Sequence, residues 1–314
     1  MDILTSVDAE RIGEYRRRDE FFWLDLEAPS AQELDALRSA LDLHPMALED
    51  TREFGQRPKV DTYEDHVLVV FYTVVRDPGE PVHQPAEVHI YVSGHWIVTV
   101  HQVPLPQLAE LHGRLRPEKR RDEDYLVYRI FDGLTDAFYP AIERFEELID
   151  DLEGEVLERP RREHLRRIYR LRQDIHGLLR LLASQRDGFV ATMTAILELA
   201  SLSRGAREYL RDIGDHLTQI DGELHRQNDD VLALTSTYFN ASAERLNRTA
   251  TRLSLVATFF VVWTLITGFF GQNFAWLVRN VESERDFLIF GVGGLVVPTV
   301  ILASVLWVKR HDWF

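Results

Sequence analysis

Leu253 to Phe270 is a run of 18 residues without a charge. As a helix rising about 1.5 Å per residue it would be roughly 27 Å long, close to the hydrocarbon thickness of a bilayer. A second uncharged run of 22 residues, Phe287 to Val308, follows a short connection. The pair predicts two membrane helices near the C-terminal end, spans 253–270 and 287–308. The second carries Gly291, Gly293, Gly294 and Pro298, which membrane helices tolerate when neighbouring helices cover the freed backbone. Arg245, Arg248 and Arg252 precede the first run, Lys309 and Arg310 follow the second, and only Arg279 and Arg285 lie between. Five basic residues against two place both termini in the cytoplasm and the loop outside.

The first run is not uniformly apolar. Ser254, Thr258, Thr264 and Thr267 interrupt it, and Gly271-Gln272-Asn273 ends it. Asn247, Ala250, Ser254, Ala257, Val261, Thr264, Gly268 and Gly271 recur at spacings of three or four. They make one face of small or mildly polar side chains, with bulky aromatics and aliphatics over most of the rest. Such a face is either a close helix contact or the wall of a pore.

About 250 residues precede the spans, enough for a sizeable soluble body. The opening MDILTSVDAERIGEYRRRDE has no apolar stretch of the kind a cleaved signal peptide needs. Cysteine is absent, so disulfides and thiolate metal sites are excluded. A net charge of −15 argues against nucleic acid as a partner and suits cations. P-loop, His-Glu-x-x-His and nucleophile-elbow motifs are all missing, and nothing points to an enzyme or an organic cofactor. His44, Glu49 and Asp50 lie close enough in sequence to suggest a metal site, but folding contacts are the expected role.

Eleven of the twelve prolines fall between Pro29 and Pro160, so the fold class expected is α+β and helix-dominated. The predicted domains are an α/β cytoplasmic domain at 1–120, a helical hairpin region at 121–202, a stalk helix at 203–252 and a transmembrane domain at 253–314. In the first, Phe21–Leu26, His66–Val75, Glu87–Val92 and Trp96–His101 suggest strands, and Ser30 with Glu33 forms a capping box opening a helix to about Leu41. Pro45 begins a short helix. Residues 143–158 carry eight acids and one arginine, while 159–172 carry seven arginines and one glutamate. That reversal across Pro160 predicts two helices folded back on each other. Leu210, Ile213, Leu217, Ile220 and Leu224, then Val231, Leu234, Tyr238 and Ala241, form a heptad-like seam interrupted by Gln227. We expect that seam to join subunits, the alternative being burial against the chain's own body. Seven acids and one arginine between 212 and 244 exclude a stalk that binds anionic lipid.

Gly271-Gln272-Asn273, the short loop, the second span and the basic, aromatic tail together resemble the CorA family of magnesium transporters, whose usual tripeptide is Gly-Met-Asn. His44-Pro45, Glu49-Asp50 and Gln56-Arg57-Pro58-Lys59 through Tyr63 also resemble that family, so the likeness covers nearly the whole chain. It implies a homopentamer in the cytoplasmic membrane, with a long stalk helix continuous with a pore-lining first span and an outer second span. Asn273 is then the entrance ligand, with Gly271 and Gln272 shaping its loop. Leu253, Ala257, Val261, Thr264 and Gly268 are pore-facing positions. Asp212 matches a carboxylate that binds a regulatory cation between subunits, and Asp215, three residues on, projects to nearly the same side. The implied cargo is Mg2+, with Co2+ or Ni2+ beside it, and Mg2+ is also the regulatory ion. Three departures stand out: Gln272 in place of methionine, Val262 where relatives often have proline, and loop acids (Glu282, Glu284, Asp286) that come late. A zinc transporter of the same superfamily, with or without proton coupling, is the alternative; a membrane-anchored sensor that conducts nothing is the alternative of another class.

Overall fold

The computed structural model describes residues 2–114, 123–199, 206–272, 275, 279 and 283–308. The chain forms two compact units, Met1–Glu155 with Arg161–Thr235, and Val156–Pro160 with Ser236–Phe314.

The first unit is built on a six-stranded sheet: β1 (Asp2–Leu4), β2 (Phe22–Glu27), β3 (Lys59–Thr62), β4 (His66–Val75), β5 (Gln84–Ser93) and β6 (Trp96–His101). Their spatial order is β1-β2-β6-β5-β4-β3. β2 lies parallel to β1 and β6, and the remaining pairs are antiparallel. β4, β5 and β6 read as nearly continuous apolar runs because the sheet is covered on both faces. On one face α1 (Ala9–Arg18), α2 (Ala31–Leu41) and α3 (Pro45–Arg52) bring Ile12, Leu37, Leu41 and Leu48 against Leu24, Val98 and Val100. Toward the other, Phe71 of β4 meets Phe131 edge-on at 5.2 Å, and Phe131 meets Phe189 at 6.0 Å. The Ser30–Glu33 capping box is present, and Pro45 opens α3. β1, α1 and β3 are additions to the sequence reading: each is short or highly charged and takes its place from the sheet rather than from a periodicity of its own.

β3 covers β4 only from Val67 to Val70. Beyond it, Gln185 fills the next place on the edge. Its Oε1 accepts from the Tyr72 N–H at 2.6 Å, and its Nε2 donates to the Tyr72 carbonyl at 3.1 Å. A carboxamide side chain here does what a neighbouring peptide would do.

Helices complete this unit: α4 (Pro106–Arg114), α5 (Glu123–Asp136), α6 (Phe138–Glu158), α7 (Arg162–Leu197) and the first part of α8 (Ala206–Phe270). α7 folds back on α6, with Arg167 2.5 Å from Glu155 and His164 3.4 Å from it, as the charge reversal predicts. The α8 seam overturns one expectation. Leu210, Ile213, Leu217, Ile220, Leu224, Val231 and Leu234 are each at most 2% exposed within this single chain. Gln227, also fully buried, donates to the Ile142 carbonyl of α6 at 2.8 Å. The seam is therefore the inner face of α8 against its own body, not a subunit interface. A 3.5-residue spacing specifies an apolar stripe without saying which helix covers it.

A polar cluster sits where β2, β6 and α4 meet. Asp25 lies 3.2 Å from both His101 Nε2 and His112 Nε2 and accepts from Thr99 Oγ1. Burial alone would raise its pKa; the bonds from His101, His112 and Thr99 prevail and hold it at about 2. Burial works against the charged form of His101 too, but Asp25 and the Val103 carbonyl, 2.7 Å from Nδ1, raise its pKa. His44 and Asp50 serve the fold, as expected: His44 caps α3 and stacks on Tyr63, and Asp50 pairs with Lys59 at 2.7 Å.

In the second unit α8 continues to Phe270. A short turn (Glu284–Asp286) and a π-helical stretch (Phe287–Val292) lead into α9 (Gly293–Val308). Two helices, α8 and the one ending in α9, are long and apolar enough to cross a membrane.

Candidate functional site

Two groups of residues carry the functional expectations, and α8 supplies both. The first is its apolar end. Within 253–269 the half-buried residues are Leu255, Phe259, Val262 and Ile266, spaced four, three and four. Beside that row the Trp263 indole donates to Thr299 Oγ1 of α9 at 2.7 Å, which marks the side facing the second span. The predicted pore-facing residues lie across the helix. Ala257 is nine residues, two and a half turns, from Ile266, and therefore points the opposite way. Leu253, Ala257, Val261, Thr264 and Gly268 are all exposed in the single chain, Leu253 and Val261 at 66% each. The small face is thus not consumed by α9 and stays open to either of the two roles its composition allows. Thr258, Thr264 and Thr267 turn their hydroxyls back onto carbonyls of their own helix at 2.7–2.8 Å, a satisfied state that suits apolar surroundings. The helix end is tight: the Gly271 N–H donates to Thr267 O at 2.8 Å, and a Cβ on Gly271 would come within 3.1 Å of that oxygen. Gln272 is exposed. Asn273, the expected entrance ligand, lies outside the described residues.

The second group surrounds Asp212. A ligand atom from each of Asp132 on α5 and Asp212 and His216 on α8 lies within 4.8 Å of the others, the only such trio of His, Asp or Glu among the described residues. His216 Nδ1 is 3.9 Å from Asp132 and from Asp136, and its Nε2 is 3.9 Å from Asp212. The Asp132 carboxylate is only 6% exposed and is held by Arg129 at 2.5 Å. Burial raises its pKa, Asp136 adds to the effect, and Arg129 and His216 oppose it. The Tyr128 hydroxyl donates to Asp212 Oδ2 at 3.1 Å. His216 Nδ1 is buried without a hydrogen-bond partner. The carboxylates suit a hard ion that keeps its waters, and the imidazole suits a transition ion better. Asp215, the other aspartate named from sequence, is exposed and outside the group. Sequence reading missed Asp132 and His216. His216, one turn beyond Asp212, was visible as an i, i+4 pair; Asp132, eighty residues upstream, joins only through the fold.

Residues 18–310 match the profile of the family described as CorA-like Mg2+ transporter protein. The chain is 24% identical over 313 residues to the cobalt/magnesium transport protein CorA of Thermotoga maritima, covering 98% of this chain and 88% of that one. It is 23% identical over 297 residues to the zinc transport protein ZntB of Yersinia pseudotuberculosis, covering 93% and 87%. Its fold is similar to the complete structure of the CorA magnesium transporter from Methanocaldococcus jannaschii, with a TM-score of 0.77 at 20% identity over 93% of this chain and 91% of that one.

Proposed function

The chain belongs to the CorA-like Mg2+ transporter family, and from that premise we propose that it is a channel-type transporter of divalent cations, Mg2+ first, with Co2+ or Ni2+ beside it. In this reading it is a pentamer in the cytoplasmic membrane with both termini in the cytoplasm. The observation that carries the proposal is the small, mildly polar face of α8 turned away from α9. Five such faces around an axis would line a path with no carboxylate to trap a divalent ion. Mg2+ gives up its waters reluctantly. Asn273 amides at the outer mouth would hydrogen-bond those waters without stripping them, and Leu253 and Val261 would be apolar constrictions that gate by dewetting.

Asp132, Asp212 and His216 would hold the regulatory cation on the cytoplasmic side. Asp212 and His216 ride on the helix that lines the path, so an ion bound there favours one arrangement of α8 over another by its differential affinity for the two. A zinc transporter is the second reading, favoured by the imidazole in that group and by the resemblance to a zinc transport protein.

Flux of Mg2+, Co2+, Ni2+ and Zn2+ into liposomes, with and without a pH gradient, tests the proposal. Flux of Mg2+ without a gradient is expected, and Asn273→Ala should abolish it while the oligomer stays assembled. Zn2+ flux that requires the gradient would favour the second reading. No flux of any ion would leave a membrane-anchored sensor.

A further inference from the structure

We propose that the first unit carries a binding site for a phosphate-bearing anion of nucleotide size, in a cleft between the Gln56–Pro58 loop, the start of β5 and α7. The cleft has a volume of about 600 Å³, within the range of small-molecule sites. Gln56, Arg57 and Pro58 form one wall, His83 and Gln84 a second, and Gln173, Arg180 and Ser184 of α7 a third. Its charge runs against that of the chain, whose net value is −15. Arg57 and Arg180 come from different elements, both are exposed, and among the described residues neither forms an ion pair.

Such arginines are the natural partners of phosphate, which they grip through paired N–H donors. The cleft's one carboxylate is Asp174. Burial raises its pKa and Glu80 adds to the effect, while Arg170 opposes it. His83 is held toward its neutral form by burial and by Arg76 and Arg144; an anion beside it would reverse that and recruit a further donor. Leu178, Leu181, Val82 and Pro85 give the cleft an apolar side on which a base can lie. The site also accounts for part of the Gln56-Arg57-Pro58-Lys59 motif that ion transport leaves unused. Lys59 faces elsewhere, paired with Asp50 and Asp61, whereas the three residues before it line the cleft.

The test is calorimetric titration of the purified full-length protein in detergent, at physiological salt, with EDTA present and no divalent ion. ATP and pyrophosphate are the probes. ATP is expected to bind saturably, once per chain. Arg57→Ala and Arg180→Ala should each weaken binding about tenfold or more, the equivalent of one lost charged hydrogen bond. Both residues are exposed, so unchanged thermal unfolding serves as the control for folding. Asp212→Ala should bind ATP as the wild type does, which separates this site from the cation group and from transport. Pyrophosphate binding as tightly as ATP, and lost in the same variants, would support the phosphate contacts and assign no role to the apolar side. Absence of saturable binding by both probes, or binding that neither arginine variant alters, would overturn the proposal.

Discussion

At the scale of single residues, side chains are set against the tendencies of burial. His216 is the informative one in the cation group. If Asp132, Asp212 and His216 hold a regulatory ion, removing one ligand should weaken its binding about tenfold or more. In liposomes, wild-type flux should fall as internal Mg2+ rises. Asp212→Ala and His216→Ala should need more Mg2+ for the same inhibition, and coincident curves would take both residues out of regulation. Asp25 makes a separate prediction, for stability. Its folded pKa of about 2 lies below the ordinary 3.8, so its contribution is present above the unfolded value and is lost as pH falls through the folded one. His101 is shifted upward; its share is present below its ordinary value of 6.5 and is lost as pH rises through the raised one. The pair therefore stabilises most between about pH 4 and 6.5. Asp25→Asn should cost roughly 2 kcal/mol in that window, the equivalent of its shift, and little near pH 2. Thermal unfolding of the two proteins across pH checks this.

At the scale of elements, legibility followed local signals. The strands from Phe22, His66 and Trp96 and the capped helix from Ala31 carry their own runs, caps and turns, and the sequence was enough to find them. β3 is four residues with Lys59 and Asp61 in it, and only pairing with β4 makes it a strand. The α8 face opposite α9 was readable because helical spacing alone orders Ala257, Val261, Thr264 and Gly268. The seam was readable as a stripe and misjudged in its partner, because the residues that cover it come from distant parts of the chain. That correction has a measurable outcome. Leu217→Ala should destabilise the folded chain by about 2–5 kcal/mol, the range for a buried leucine, and leave the number of subunits unchanged. Loss of subunits at normal folding stability would return the seam to the interface.

At the scale of the whole molecule, the covered seam shifts the burden of assembly. In the proposed ring, the contacts that close it come from surfaces other than this seam. Mass measurement in detergent should give five copies; a monomer that still conducts would remove the shared path. Sequence could supply the two long apolar helices and the family likeness, but not which surfaces meet, since complementarity belongs to the folded chain. The Gln185 side chain against Tyr72 has a further consequence. A strand whose backbone groups are left open is a template on which a second molecule can add its own strand, the first step toward aggregation. β4 runs on past β3 among valines, a sequence well suited to such recruitment. By occupying both backbone groups of Tyr72, Gln185 denies a stranger that foothold. It lets a long apolar strand persist near the sheet's edge.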